Sequence, residues 1–212
     1  MTPMAHHHEK KLMVAVAINS VMMGFEIIFG WWTGSMALLA DGWHMATHVG
    51  ALLISWAAYW MVRRWTHDRR LTQGSSDILP LAGYTNAIIL VIVGLVTMWA
   101  SFGKYLDPSP IHFDTAIWVA SIGLVVNAVS AMVLKVDDSH DEQADHNIQS
   151  AYMHVLTDAF TSILAIVGLV AGKVWGLTMV DPLVGFVGGV MIVRWGVGMA
   201  TGAAKTLIHF KQ

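Results

Sequence analysis

The feature that most constrains this chain is a series of apolar runs, each long enough to cross a lipid bilayer. A helix needs about 20 residues to span about 30 Å of hydrocarbon. Five uninterrupted runs reach at least about 18 residues, and a sixth is interrupted only near one end. The sequence therefore predicts an all-α membrane protein with six transmembrane helices. We expect the spans near Leu12–Trp32, Ala37–Val62, Ile78–Phe102, Phe113–Leu134, Ile148–Lys173 and Pro182–Ala204.

Composition agrees with lipid as the main solvent and excludes several classes of function. Charged residues make up 12% of the chain, against about 25% in an ordinary soluble domain. The net charge is −2 and no basic cluster interleaves with aromatic residues, so the sequence predicts no nucleic-acid partner. Cysteine is absent, which excludes disulfides, thiolate metal sites and iron–sulfur clusters. Histidine, aspartate and glutamate remain as the good metal ligands.

The distribution of basic residues predicts how the chain sits in the membrane. Nine lysines and arginines lie at one set of span ends and two at the other. By the positive-inside rule, both termini are expected in the cytoplasm. We expect a polar cytoplasmic segment over residues 1–11, a transmembrane domain over 12–204 and a short cytoplasmic tail over 205–212. The nine residues are Lys10, Lys11, Arg63, Arg64, Arg69, Arg70, Lys135, Lys205 and Lys211.

Two pairs of ionisable residues lie inside the predicted spans, where such groups are costly and usually functional. The second span contains His44 and His48, and the fifth contains His154 and Asp158. Each pair is spaced i,i+4, which puts its two side chains on one helix face. A lone histidine in a membrane helix is commonly a hydrogen-bonding residue between helices. Two such pairs instead favour a site for a metal ion.

If the two faces meet, they present three imidazoles and one carboxylate to a single ion. Such a set suits tetrahedral Zn²⁺ and also Co²⁺, Cd²⁺ or Ni²⁺, whereas Mg²⁺ and Ca²⁺ prefer oxygen ligands. The predicted topology makes the two spans antiparallel. We therefore expect the two pairs at similar depth near the middle of the membrane; counting residues leaves their centres about 10 Å apart along the membrane normal, which is within the error of the span boundaries. The meeting of the second and fifth spans is therefore the prediction on which the site depends.

At these residues the sequence resembles the cation diffusion facilitator family. The stretch 34–44, GSMALLADGWH, is similar to the family's entry into its second helix, His154–Asp158 to its fifth-helix HxxxD motif, and Asn127 to its fourth-helix asparagine. The resemblance covers the chain from about Lys11 to Ala204. It implies a six-helix transporter, usually a homodimer, that exchanges a divalent metal for protons. It also implies a multi-pass protein of a bacterial inner membrane and no enzyme activity or resident cofactor.

Carried over position by position, the family's transport site falls on His44, His48, His154 and Asp158. His48 stands where aspartate is commoner, and the variant looks most like a subgroup associated with Co²⁺ and Ni²⁺ efflux. Most members also continue into a soluble cytoplasmic domain. This chain ends at Gln212, so the resemblance implies a member without that domain.

Protons and metal ions would compete for such a site, because imidazole has an unperturbed pKa of about 6.5. That competition predicts the coupling of metal efflux to proton entry. A rival hypothesis is a membrane electron carrier in which His44 and His154 bind haem iron. A second rival is an inert structural or assembly subunit.

Other polar residues leave alternatives open. Asp41 can guide ions at the outer mouth or sit near the interface, and Asn127 can donate to the site or join helices. Glu26 and Arg194 are predicted to snorkel toward the membrane surfaces. Glycines at 185, 188 and 189 in the sixth span, and at 83 and 94 in the third, predict close helix contact that can include a dimer interface.

Three further groups of possible metal ligands lie outside the spans. The stretch Asp137–His146 can collect cations, although a solvated acidic loop is the commoner structure. His67 and Asp68 can form a weaker second site. His6, His7 and His8 can be native metal-scavenging residues or a cloning remnant.

Overall fold

The computed structural model describes residues 3–65, 78–134 and 142–208, and within them it contains six α-helices and no strand. This confirms the predicted all-α architecture of six helices. The turn at Gly34, the break after Leu106 and the connection around Gly176 fall where the sequence predicted them. The helices are α1 (Pro3–Thr33), α2 (Met36–Trp65), α3 (Ile78–Leu106), α4 (Phe113–Leu134), α5 (Glu142–Trp175) and α6 (Val180–Leu207).

Two helices begin well before the apolar runs that predicted them, whereas α2 and α6 begin within two residues of theirs. α1 starts at Pro3 instead of Leu12, and α5 starts at Glu142 instead of Ile148. The end of the predicted acidic loop and most of the polar N-terminal segment are therefore helical. A helix pairs its own backbone groups, so it can continue from lipid into water without leaving any of them unsatisfied. Hydropathy marks the edge of the lipid and not the end of the helix.

The surface of the helices is apolar, as contact with lipid requires. Among the described residues, segments in α3, α4, α5 and α6 are long and apolar enough to cross a membrane. Large hydrophobic side chains are exposed on all six helices, including Ile28, Leu53, Val96, Val125 and Val167. A water-soluble protein of this size rarely exposes so much apolar surface without a partner. The multi-pass membrane prediction is supported by these features.

The six helices divide into two regions. We call α1, α2, α4 and α5 the four-helix group, because they share one buried apolar core. The α3–α6 pair packs beside it and contacts it mainly through α2. The core of the four-helix group consists of Met22, Leu38, Met45, Ala116, Val119, Ala120 and Leu169.

A polar link joins the two regions at what we call the outer end, formed by the α1–α2, α3–α4 and α5–α6 connections. Asp181, in the first turn of α6, accepts hydrogen bonds from Ser35 Oγ (2.6 Å) and from the backbone N–H groups of Met36 (2.8 Å) and Ala37 (3.3 Å). These amides begin α2 and have no partner within their own helix. Asp181 therefore caps α2 from another helix. Nearby, Lys104 of α3 donates to the carbonyl of Gly34, whose φ of 71° favours glycine.

Candidate metal-binding site between the second and fifth helices

The structure brings one residue of each predicted motif into direct contact. His44 on α2 and Asp158 on α5 approach to 3.2 Å between Nε2 and Oδ1. Both side chains are buried, with 5% and 3% exposure. The residue count had placed the two motif centres about 10 Å apart. The contact agrees with the expected similar depth of the two pairs, and the counted offset came from errors in the span boundaries, which add directly to a calculated depth.

The other two predicted ligands are described only as backbone. His48 lies in α2 and His154 in α5, but their side chains lie outside the described residues. Among the side chains that are described, no three histidine, aspartate or glutamate groups gather closely enough to hold a metal ion. The described part of the predicted site is thus the His44–Asp158 contact.

A second polar contact joins α2 to α5 one helical turn toward the outer end. Asp41 is 4% exposed and accepts hydrogen bonds on both carboxylate oxygens. Thr161 Oγ1 donates to Oδ1 at 2.8 Å, and Ser162 Oγ donates to Oδ2 at 2.7 Å. This contact buries the carboxylate between α2 and α5, and both alternatives for Asp41, ion guidance and a place near the membrane interface, stay predictions.

Asn127 joins α4 to this arrangement. Its Nδ2 donates to Ser162 Oγ at 3.4 Å, so Asn127 reaches the hydroxyl that in turn donates to Asp41. It therefore supports the polar contact between helices, which was one of its two expected roles. Thr47, which precedes His48, bonds the His44 carbonyl at 2.6 Å. That bond within its own helix is the ordinary one for a helical threonine.

A cavity of about 210 Å³ leads toward His44 from the outer half of the protein. α2, α5 and α6 line it, mostly with small and aliphatic side chains, and Asp41, His44 and Thr161 supply polar groups. Trp195 of α6 also lines it and packs on the His44 ring, with ring centroids 4.9 Å apart. The cavity therefore reaches a polar contact that is otherwise enclosed by helices.

The prediction for Glu26 was wrong. Its side chain has 0% exposure instead of snorkelling to the surface, and its carboxylate lies directly against Gly123 of α4. Its position along α1 was known from the sequence, but the face of α1 that meets α4 was not. Arg194 on α6 is exposed, and its snorkelling toward a membrane surface stays a prediction.

Most of the glycines of α3 and α6 that were predicted to allow close helix contact lie against other helices of this chain. Gly94 of α3 and Gly189 of α6 lie against each other's backbones, and Gly185 and Gly188 lie against Met36 and Ala40 of α2. Their close packing is confirmed. Because α3, α6 and α2 of the same chain use these surfaces, the glycines give no support to a dimer interface, and the homodimer stays a prediction.

Three residues were missed by reasoning from the sequence: Thr161, whose hydroxyl donates to Asp41, and also Asp181 and Trp195. Asp181 reads as an ordinary acidic residue in the first turn of a helix, and nothing in the sequence identifies the helix that it caps. Trp195 offered a signal, because it lies in the middle of α6 and not at an end, where membrane tryptophans are usually found. The packing of its ring on a histidine still required the fold.

The haem alternative finds no support in this arrangement. Nε2 of His44, a nitrogen that haem iron would need, faces the Asp158 carboxylate at 3.2 Å. An axial ligand needs that nitrogen directed at the iron, whereas here it is directed at a carboxylate oxygen. The other suggested ligand groups, His67 with Asp68, the His6–His8 run and the stretch Asp137–His146, have side chains that lie outside the described residues.

Comparisons with known proteins agree with the architecture. The chain is 30% identical to the zinc transporter ZitB of Yersinia pestis, over 88% of its own length and 59% of the relative's. It is 28% identical to the metal cation efflux system protein CzcD of Cupriavidus metallidurans, over 89% of its own length and 60% of the relative's. It is 25% identical to the cadmium, cobalt and zinc/H⁺-K⁺ antiporter of Bacillus subtilis, over 97% of its own length and 67% of the relative's. The chain thus spans about three fifths of the length of the first two relatives.

A comparison with family models identifies the family. Residues 12–208 match the model of the cation efflux transmembrane domain, and the chain therefore belongs to the cation efflux family, as its resemblance to cation diffusion facilitators predicted.

Proposed function

We propose that this chain exports divalent transition-metal ions in exchange for protons and is not an enzyme. The ion binds between α2 and α5 on His44, His48, His154 and Asp158, and alternating access exposes it to each side of the membrane in turn. The observation that carries the proposal is the buried contact of 3.2 Å between His44 Nε2 and Asp158 Oδ1.

That distance suits two ligands of one tetrahedral ion. With metal–ligand bonds of about 2.0–2.1 Å at the tetrahedral angle, two ligand atoms stand about 3.3 Å apart. The imidazole nitrogen and the carboxylate oxygen are already at that separation. A single proton can join them in the absence of metal, and an ion can replace the proton with little movement of either side chain. Proton and metal therefore compete for the same place, which supports coupled exchange.

The register of the two helices supports the complete ligand set. α2 and α5 are antiparallel, with Asp41 opposite Thr161 and Ser162, and His44 opposite Asp158. One turn from the His44–Asp158 contact, on the side away from the outer end, α2 has position 48 and α5 has position 154. Since four residues make about one helical turn, these positions are expected to face each other in the next layer. The two remaining histidines occupy them.

The relatives support the class of substrate. Their names specify zinc for the Yersinia protein and cadmium, cobalt and zinc with proton antiport for the Bacillus protein. We infer that Zn²⁺, Co²⁺ and Cd²⁺ are substrates here, and we retain Ni²⁺ from the histidine at position 48. We further infer a homodimer in a bacterial inner membrane, with both termini in the cytoplasm.

Transport by the full chain in proteoliposomes tests the proposal. A Zn²⁺ gradient should drive a proton flux, read by a pH-sensitive dye inside the vesicles. The double variant His44→Ala with His154→Ala removes two ligands and should abolish the flux. Its metal affinity should fall by more than the roughly 10–100-fold that loss of a supporting residue costs.

The matched control is His112→Ala, because His112 is an exposed histidine that stacks on Trp32 outside the site. This variant should transport like the wild type. Zn²⁺-dependent proton flux that survives in the double variant would overturn the proposal.

A further inference from the structure

We propose that Asp41 is a positioning residue, which holds α2 and α5 in the register that brings the metal ligands together. The inference rests on the proposed function, and it assigns to Asp41 neither metal coordination nor ion guidance. We call its contact with Thr161 and Ser162 the Asp41 clamp.

The geometry of the Asp41 clamp is that of a cross-link. One carboxylate on α2 accepts from two hydroxyls on α5, at 2.8 Å and 2.7 Å. Both Asp41 and Ser162 are buried, with 4% and 0% exposure, so water does not readily replace these bonds. From α4, Asn127 donates to Ser162 at 3.4 Å. Three helices are therefore joined one turn away from the His44–Asp158 contact.

The clamp also reaches the backbone of a proposed ligand. Thr161 Oγ1 lies 2.9 Å from the carbonyl oxygen of Asp158, in addition to its 2.8 Å approach to Asp41. A shift of α5 along α2 would break the bonds to Asp41 and separate Asp158 from His44 at the same time. Metal affinity is therefore expected to depend on the clamp. Asp41 would act without binding the metal itself, because hydroxyl donors already occupy both of its carboxylate oxygens.

Positioning and charge predict different results for Asp41→Asn. The amide oxygen of asparagine can accept from Ser162. The side-chain N–H of the asparagine can donate to Thr161 Oγ1. The Thr161 hydroxyl then donates its own proton to the Asp158 carbonyl oxygen. Asparagine thus keeps the clamp and loses the charge. Asp41→Ala loses both, whereas Thr161→Val with Ser162→Ala keeps the charge and removes the two donors.

Calorimetric titration of the purified full chain with Zn²⁺ and Cd²⁺ separates these cases. We expect Asp41→Ala and the Thr161→Val with Ser162→Ala variant to lose about 10–100-fold in Zn²⁺ affinity, as for other residues that orient ligands. Asp41→Asn should stay within about threefold of the wild type. The ratio of Zn²⁺ to Cd²⁺ affinity should shift in the first two variants, because the ligand spacing changes.

The number of sites distinguishes positioning from a loss of folding. A variant that only unfolds lowers the number of sites per chain and leaves the Kd of the folded fraction unchanged. Thr97→Val is the matched control, because Thr97 is a buried threonine of α3 whose hydroxyl donates to Val93 of its own helix. It should bind metal like the wild type.

Two results would overturn the Asp41 clamp while leaving the metal site intact. One is wild-type affinity in the Thr161→Val with Ser162→Ala variant, and the other is a loss in Asp41→Asn as large as in Asp41→Ala. The second result would mean that the charge of Asp41 is what the site needs. A wild-type chain that binds no Zn²⁺ would overturn the proposed function together with the clamp.

Discussion

In the four-helix group, α2 and α5 meet through buried polar side chains, whereas in the α3–α6 pair the helices meet through glycine backbones. The α2–α5 contact joins Asp41 to Thr161 and Ser162, and His44 to Asp158. A Cβ placed on Gly94 would instead stand 2.9 Å from the carbonyl oxygen of Gly189.

The difference suggests that the α2–α5 contact serves metal binding and the α3–α6 pair serves the stability of the fold. Buried polar groups are costly in a membrane and persist where they have partners or a function. Small residues let helices approach closely with no polar group at all, and packing then supplies the stabilisation. We therefore expect changes in the α3–α6 pair to act on stability, and changes at the α2–α5 contact to act on metal binding.

The largest expected loss of stability comes from the link between the two regions. Asp181→Ala should lower the free energy of unfolding in detergent by about 3 kcal/mol, because it leaves the donors of Ser35, Met36 and Ala37 without their acceptor. Chemical denaturation followed by circular dichroism measures this. Asp114→Ala is the control, since Asp114 is an exposed acid in the first turn of α4. Equal stability in the two variants would show that the regions are held together by apolar contact.

A smaller loss is expected inside the α3–α6 pair. Gly189→Ala should cost about 2 kcal/mol, because the new Cβ would lie 2.7 Å from Met98 Cγ and 2.9 Å from the Gly94 carbonyl oxygen. Zn²⁺ affinity of the folded protein should be unchanged. Gly198→Ala on the same helix is the control, because nothing lies within 4 Å of its added Cβ. If Gly189→Ala weakened Zn²⁺ binding without loss of stability, the division of roles would fail.

The smallest effect is expected at the edge of the polar network. Asn127→Ala removes a single long hydrogen bond to Ser162 and should cost about 0.6 kcal/mol, a typical value between membrane helices. Lys173→Ala, which breaks an exposed ion pair with Asp114 of α4, should cost less than that. Thermal unfolding of both variants provides the comparison. A larger loss for Lys173→Ala would contradict the expectation that, within the four-helix group, buried polar contacts contribute more to stability than exposed ion pairs.

The sequence identified the polar residues of the site but not all of their roles. His44 and Asp158 were recognised because ionisable groups are rare in apolar spans, and the spacing of each pair placed it on one helix face. Glu26 and Arg194 were treated alike, yet Glu26 is buried against Gly123 and Arg194 is exposed. Hydropathy gives the depth of a residue and does not say which neighbour its helix face meets.

By itself the sequence determined six helices, an apolar environment and a short list of candidate metal ligands, because each follows from residues that are near one another along the chain. Only the tertiary structure decided the register of α2 against α5, the pairing of Asp41 with hydroxyls 120 and 121 positions away, and the capping of α2 by Asp181. These depend on how helices rotate and slide against one another. Packing between residues distant in the chain sets that rotation and that slide, and no local pattern records them.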